Sequence, residues 1–273
     1  MLIAQISDTH IAGWGKKTFG VAPMAENLAR CVEHVNALQP RPDVVLVTGD
    51  ISNNGRREEM ERAASILRRL QPPFYVIPGN HDDRALLAEV FGPEACPTES
   101  TRFVNYVIEG YPLRLVTVDS VVPGAAGGEI CPERAAWLDA RLSEDQDRPT
   151  IVFMHHPPLR FGVPETDIDG FEGREWFWQV IRRHPQVERV LAGHIHLAAL
   201  AHRDGVVVST APSVGMRLTL DLTLQHPSEY ILDDPAYQLH YWSPDRHLVT
   251  YTVYVRGEEP TYPFAEVAIE HQG

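Results

Sequence analysis

The sequence predicts a layered α/β fold with a largely parallel sheet. Three observations predict it: short apolar runs alternate with segments of helical period, 44% of the residues are apolar, and polar ligand-type residues follow the apolar runs. Residues 2–6 form the first apolar run, too short for a helix and rich in strand formers. Leu28, Cys31, Val32, Val35 and Leu38 then share one helix face. Residues 44–47 predict a second strand. Met60, Ala63, Ala64, Leu67 and Leu70 predict a second helix, preceded by acidic residues that suit the positive end of its dipole. Residues 74–77, 113–118, 151–154 and 187–191 are further strands, several buried on both faces because their apolar residues run without alternation. Trp137, Leu138 and Leu142 predict a helix, and Phe177, Val180 and Ile181 another. Past about residue 205 the helical period stops, and residues 206–209, 218–223, 237–242 and 247–255 read as strands joined by turns. This tail is expected to be an antiparallel addition or an oligomerisation element.

At 273 residues the chain holds one or two domains, and its composition excludes a disordered or collagen-like polymer. With 24 basic and 37 acidic residues, the formal charge of −13 argues against broad binding to nucleic-acid polymers or anionic membrane. The three cysteines, Cys31, Cys96 and Cys131, are far apart and form no C-x-x-C, so free thiols in a reducing cytoplasm are expected. There is no signal-peptide pattern and no apolar run of spanning length.

Thirteen histidines is a high count, and six of them fall in four of five ligand-type groups at strand ends. The groups are Asp8-Thr9-His10, Gly49-Asp50, Gly79-Asn80-His81-Asp82, His155-His156 and Gly193-His194-Ile195-His196. In open α/β sheets ligands bind beyond the carboxyl ends of strands, so the five converge on one edge. In an extended segment the two side chains of D-x-H or H-x-H lie on one side and face one metal. Carboxylate, imidazole and amide without thiolate suit Mn, Fe, Co or Zn. Seven such donors are too many for one tetrahedral site and suit two ions sharing a carboxylate, an arrangement fitted to phosphoryl chemistry.

These motifs resemble the calcineurin-like metallophosphoesterases over about residues 1–210, and within them the class III cyclic nucleotide phosphodiesterases and bacterial glycerophosphodiesterases. The resemblance implies a four-layer αββα sandwich, with residues 1–210 as catalytic domain. Residues 211–273 would be a small, mainly β extension that completes the sandwich, forms a subunit interface, or both. It implies Asp8, His10, Asp50 and His196 on one ion, with Asp50 bridging and Asn80, His155 and His194 completing the second. It leaves His81 to stabilise the transition state or protonate the leaving oxygen. Asp82 would orient His81 or cap the helix beginning near Arg84. His156 is left as structural or as a support to the ligands.

The implied reaction is hydrolysis of small phosphodiesters, cyclic nucleotides or glycerophosphodiesters, by a metal-bound hydroxide. A phosphomonoesterase or protein phosphatase of the same fold is an alternative, but position 82 is Asp and 52–55 is Ser-Asn-Asn-Gly where protein phosphatases carry Glu and Asp-Arg-Gly. A catalytically inactive scaffold would show eroded ligands, and none is eroded. Arg56, Arg57 and Arg160 are expected to be solvated, with contact to the substrate phosphate as the alternative. The 161–175 segment is expected to form a wall or lid over the site, with Asp167, Asp169 and Glu172 solvated or, alternatively, repelling highly anionic substrates, and Met216 and Arg217 to approach the pocket. The tail aromatics Tyr230, Tyr237, Tyr241, Trp242, Tyr251 and Tyr254 are expected in the core or in an interface between identical subunits.

Overall fold

The structure is a computed structural model that describes residues 1–98, 100, 102–257 and 260–263. Residues 264–273 of the expected extension therefore lie outside the described residues. In chain order the elements are β1 (Leu2–Ile6), α1 (Met24–Ala37), β2 (Val44–Thr48), α2 (Arg57–Leu67), β3 (Phe74–Ile77), α3 (Arg84–Ala95), β4 (Tyr106–Ile108) and β5 (Arg114–Thr117). Then follow β6 (Gly128–Glu129), α4 (Pro132–Ser143), β7 (Thr150–Phe153), α5 (Pro164–Asp167), β8 (Phe171–Glu172), α6 (Arg174–Ile181) and β9 (Val187–Ala192). The chain continues through β10 (Ala199–Arg203), β11 (Val206–Thr210), β12 (Met216–Leu218), β13 (Tyr230–Leu232), β14 (Ala236–Trp242) and β15 (Leu248–Tyr254).

Two sheets carry the core, with strand orders β15-β14-β1-β2-β3 and β10-β11-β9-β7-β5-β4. In the first, β1, β2 and β3 run parallel, and β14 adds antiparallel to β1 with β15 outside it. In the second, β5, β7, β9 and β11 are parallel, flanked by antiparallel β4 and β10. Leu115, Ile151, Phe153 and Leu191 pack with Ile3, Ile6, Val45 and Val47 of the first sheet. Their neighbours Val116, Val152 and Val190 pack with Leu138, Leu142, Phe177 and Ile181 of α4 and α6. On the other side, Leu28, Cys31 and Val32 of α1 and Met60 and Ala63 of α2 join the first cluster. Unbroken apolar runs thus serve strands buried on both faces, and the layers stack α, β, β, α.

The tail differs from the expected antiparallel addition in three respects: β11 runs parallel to β9 inside the second sheet, β13 forms where no strand was expected, and the strand expected over 218–223 is displaced. Residues 219–223 leave the sheet as a turn, and the strand there is the shorter β12, paired with β13 rather than with either large sheet. Short strands β4 and β10 carry no signal of length or period, and β10 alternates half-buried with exposed residues at a sheet edge. No helix among the described residues is long and apolar enough to cross a membrane.

Candidate metal centre

Five strand ends meet. The segment after β1 is laced to that after β2 by Asp8 N–H to Gly49 O (3.1 Å), His10 N–H to Asp50 O (2.8 Å) and Ile11 N–H to Ile51 O (2.9 Å). The Asp8 carboxylate accepts the His194 N–H, at 3.1 Å from both oxygens, which joins the two sheets. Two groups of donor atoms result, each within 4.8 Å internally: Asp8, His10, Asp50 and His196, and His155, His156 and His194.

The alternation argument for D-x-H and H-x-H is corrected by the backbone. Asp8, His10, Asp50, His194 and His196 all have positive φ, from 40° to 72°, so they are not extended. They make up five of the nine non-glycine residues with positive φ among the described residues, and such outliers concentrate at functional sites. The glycines of the motifs make room. A Cβ on Gly79 would stand 2.1 Å from Asp50 Oδ1, one on Gly193 2.8 Å from Asp8 Oδ2, and one on Gly49 2.5 Å from His155 Nδ1.

Asp50 sits between the groups. Its Oδ2 lies 3.4 Å from His10 Nε2 and 3.5 Å from His155 Nε2, while Oδ1 accepts the His81 N–H at 2.9 Å. His10 Nε2 faces His196 Nε2 at 3.0 Å, and His196 Nε2 is 3.6 Å from Asp8 Oδ1. Two donors each about 2.1 Å from one ion stand about 3.0–3.4 Å apart, so this spacing fits a cation at the centre. On the other side, Asn80 Oδ1 lies 3.2 Å from His155 Nε2.

The histidines are oriented from outside. His155 Nδ1 donates to Thr48 O (2.8 Å), His196 Nδ1 to Met216 O (2.8 Å) and His194 Nε2 to Glu165 O (3.2 Å). Each thereby turns its other nitrogen toward the centre, the arrangement metal-ligating imidazoles require. His156 differs, because both its nitrogens are used, Nδ1 by Ser120 Oγ (2.9 Å) and Nε2 by Ala126 O (3.0 Å). It packs beside His155 and His194 and holds them in place.

Burial and mutual proximity set the charges. Burial, then the nearby His155, takes His194 down to about 3, and burial holds His10 well below its ordinary range, so both are neutral donors. Burial would lower His155 too, but the Asp50 carboxylate outweighs it and raises His155 to about 9. Asp50 would rise on burial, and His155 instead holds it well below the usual carboxylate range. A metal would replace the proton on His155, since ligation needs the neutral ring.

Asp82 does not orient His81, nor does it cap α3. Its carboxylate accepts N–H groups of Ile51 (2.9 Å), Ser52 (2.8 Å) and Gly79 (3.0 Å) and the Ser52 hydroxyl (2.7 Å), tying the ends of β2 and β3 together. The cap is Asp83, which accepts Leu86 N–H at 2.8 Å. His81 is oriented by Asn53 O, 2.8 Å from its Nδ1, and its ring lies edge-on to His10 at 4.7 Å.

A cavity of about 290 Å³ opens over the centre, lined at its floor by His10, Asp50, Asn80, His81, His194 and His196. Its walls include Phe19, Glu165, Asp169, Leu218, Glu229 and Tyr230. The 161–175 segment does supply a wall, through Glu165 and Asp169. The expected contacts Met216 and Arg217 do not line it: Met216 is buried, and Arg217 Nε turns to Asp233 at 2.5 Å. Tyr237 and Trp242 are core, whereas Tyr230 belongs to the cavity. Phe19, Glu165 and Glu229 were not legible in sequence, because each lies in a loop or short element without period. Arg57 is exposed and paired with Glu89 (2.8 Å).

Residues 1–198 match the family profile described as calcineurin-like phosphoesterase. The chain is 35% identical over 265 residues to the probable glycerophosphodiester phosphodiesterase GpdQ of Arcobacter nitrofigilis, covering 97% of each chain. It is 33% identical to a probable cyclic nucleotide phosphodiesterase of Synechococcus, over 79% of this chain and 81% of that one. A dimetal phosphatase from Danio rerio shares the fold with a TM-score of 0.64 at 16% identity, covering 94% of this chain and 99% of that one.

Proposed function

The chain belongs to the calcineurin-like phosphoesterase family, and we propose that it hydrolyses small phosphodiesters, glycerophosphodiesters foremost, with the aid of two metal ions. The observation that carries this reading is Asp50 Oδ2, which lies about equally far from a histidine of each donor group. Asp8, His10, Asp50 and His196 would hold one ion, and Asp50, Asn80, His155 and His194 the other. Two bound ions supply Lewis acidity at the phosphoryl oxygens and an acidified water. Thr48, Met216 and Glu165 carbonyls keep three of the ligand rings aimed inward. His81 stands on the cavity wall. Its Nδ1–H is held by Asn53 O, which leaves Nε2 to stabilise the transition state or hand a proton to the departing alcohol oxygen.

Among the described residues no lysine or arginine lines the cavity, so a monoester dianion finds no cationic clamp among them, while a singly charged diester needs none. The relative named for glycerophosphodiesters is similar from end to end, which favours that class over cyclic nucleotides. Without thiolate donors the ions are Fe, Mn, Zn or Co. Residues 1–210 carry the chemistry in this reading. The 211–273 extension adds β14 to β1 and exposes Leu220, Leu222, Ile231 and Leu232 around the β12–β13 hairpin, which supports pairing with a second copy. Three unpaired cysteines support a cytoplasmic setting. The test is a metal-reconstituted panel of glycerophosphoethanolamine, cyclic AMP, cyclic GMP, bis-(p-nitrophenyl) phosphate and a monoester, compared by kcat/KM. A monoester turned over fastest would overturn the reading.

A further inference from the structure

We propose that Gln5, held by His240, is a positioning residue for the metal centre, its amide fixing the ends of β2 and β9 against each other. This rests on the two-metal reading and adds to it the residues that place the ligands of one ion. Gln5 interrupts the apolar run of β1 and is fully buried, as are His240, Thr48 and Ala192. Its Nε2 donates to Thr48 Oγ1 (3.0 Å) in its own sheet and to Ala192 O (2.9 Å) in the other. Thr48 immediately precedes Gly49-Asp50, and its carbonyl accepts from His155 Nδ1 at 2.8 Å. Ala192 stands two residues before His194. One amide group therefore grips the roots of Asp50, His155 and His194, which with Asn80 are the residues assigned to the second ion.

The amide is itself held by a row of hydrogen bonds whose directions are fixed from both ends. Arg189 Nη1 can only donate, to Thr250 Oγ1 at 2.7 Å, which leaves the Thr250 hydroxyl proton for His240 Nδ1 at 2.9 Å. At the other end the Ala192 carbonyl can only accept, so Gln5 turns Nε2 to it and Oε1 to His240 Nε2, 3.0 Å away. The His240 ring thus donates from Nε2 and accepts at Nδ1, as only a neutral imidazole does. Burial, then Arg189, takes His240 down to about 3, which keeps it neutral. The register places Thr250 opposite His240, with His240, Gln5 and Thr48 on successive diagonals of one sheet face. A buried polar row with every member satisfied admits one placement of the strands it joins, where apolar contacts alone would tolerate small slides. His10 and His196, on the other ion, make no bond to this row.

The experiment loads the full chain with Co²⁺ and measures each affinity by chelator competition, with the visible spectrum of bound cobalt reporting ligand geometry. His240→Leu leaves Gln5 Oε1 without its donor. One of two ions should then bind about 10–100-fold more weakly, with a changed spectrum, while the other keeps its wild-type affinity. Gln5→Met removes the amide at similar volume and should do the same, so a folding defect in either variant leaves the test intact. His240→Gln retains a donor for Gln5 and should return the affinity to within about threefold of wild type. His34→Leu removes a 2.8 Å bond to Tyr237 on the same strand β14 but reaches no ligand-bearing strand end, and should leave both affinities unchanged. Two ions at wild-type affinity in His240→Leu and Gln5→Met would overturn the positioning role. So would an equal weakening in His34→Leu, or a His240→Gln variant as weak as His240→Leu. A wild-type chain that binds fewer than two ions would instead sink the two-metal reading beneath it.

Discussion

Gly79→Ala is the sharpest test of the centre, because the substitution adds one methyl group and nothing else. The φ of Gly79 is not in the left-handed region, so alanine meets no backbone objection. Its Cβ would stand 2.1 Å from Asp50 Oδ1 and 2.3 Å from Asp50 N. Reaching even 3.0 Å requires the carboxylate to withdraw by about 0.9 Å, and the backbone amide cannot rotate out of the way. Asp50 faces both donor groups, so a shift of that size disturbs both ions at once. A displacement near 1 Å at reacting groups costs about 100-fold in rate, or about 2.7 kcal/mol, with about 1–3 kcal/mol of folding stability lost to overpacking. The assays are metal stoichiometry by elemental analysis after dialysis, kcat/KM on bis-(p-nitrophenyl) phosphate, and a urea melt. Gly205→Ala, where nothing lies within 4 Å but φ is +86°, is the control that carries backbone strain without the clash. If Gly79→Ala keeps two ions per chain and wild-type turnover, Asp50 does not join the two groups.

Removing the His81 ring should leave both ions bound and lower kcat by about 10²–10⁴, read by the same stoichiometry and turnover assays; loss of metal would show that His81 is a ligand. Asp82→Ala strands four buried donors and should lower stability by about 3 kcal/mol, and an unchanged urea midpoint would refute its tying role. In metal-stripped protein, burial takes both His194 and His240 down to about 3, so the unfolded chain binds their protons more readily. Their contribution is present above about pH 6.5 and is lost as pH falls toward 3, by up to about 1.4 kcal/mol per pH unit for each ring. His155, raised to about 9, behaves oppositely, its contribution being complete below about 6.5 and lost as pH rises through 9. Urea midpoints across pH 5–9.5 should therefore fall at both ends, and a midpoint that keeps rising to pH 9.5 would contradict the His155–Asp50 pairing.

The fold was legible where burial on both faces writes itself as an unbroken apolar run, as in β1, β2, β7 and β9. It was not legible in β4 or β10, whose edge positions need neither alternation nor length. Within the site, the grouping of Asp8, His10 and Asp50 with His196, and of His155 with His194, was legible because each follows the end of a strand in the same layered fold. Supports were not, since Thr48, Glu165 and Met216 act through backbone carbonyls, which every residue possesses. Asp82 was misread for a related reason. Its adjacency to His81 in sequence suggests partnership, but the turn after β3 points the two side chains apart, one to the cavity and one back into the β2 loop.

The left-handed residues connect these observations. Five candidate ligands in that region carry strain of about 1–2 kcal/mol each, which together rivals the net stability of a domain. Aspartate and histidine tolerate this conformation better than most side chains, so the choice of ligand types and the choice of backbone are one choice. An extended continuation would carry the two members of each i, i+2 pair about two strand rises apart and onward past the strand ends. Turning sharply at positions 8, 10, 50, 194 and 196 instead folds the chain back over the strand ends and brings donors from both sheets within 4.8 Å. The lacing hydrogen bonds from Asp8, His10 and Ile11 and the four bonds to Asp82 offset that strain locally, and bound cations would offset the rest. The two sheets hold the turns there, since each turn begins at the end of a strand buried between layers and fixed by hydrogen bonds to its neighbours.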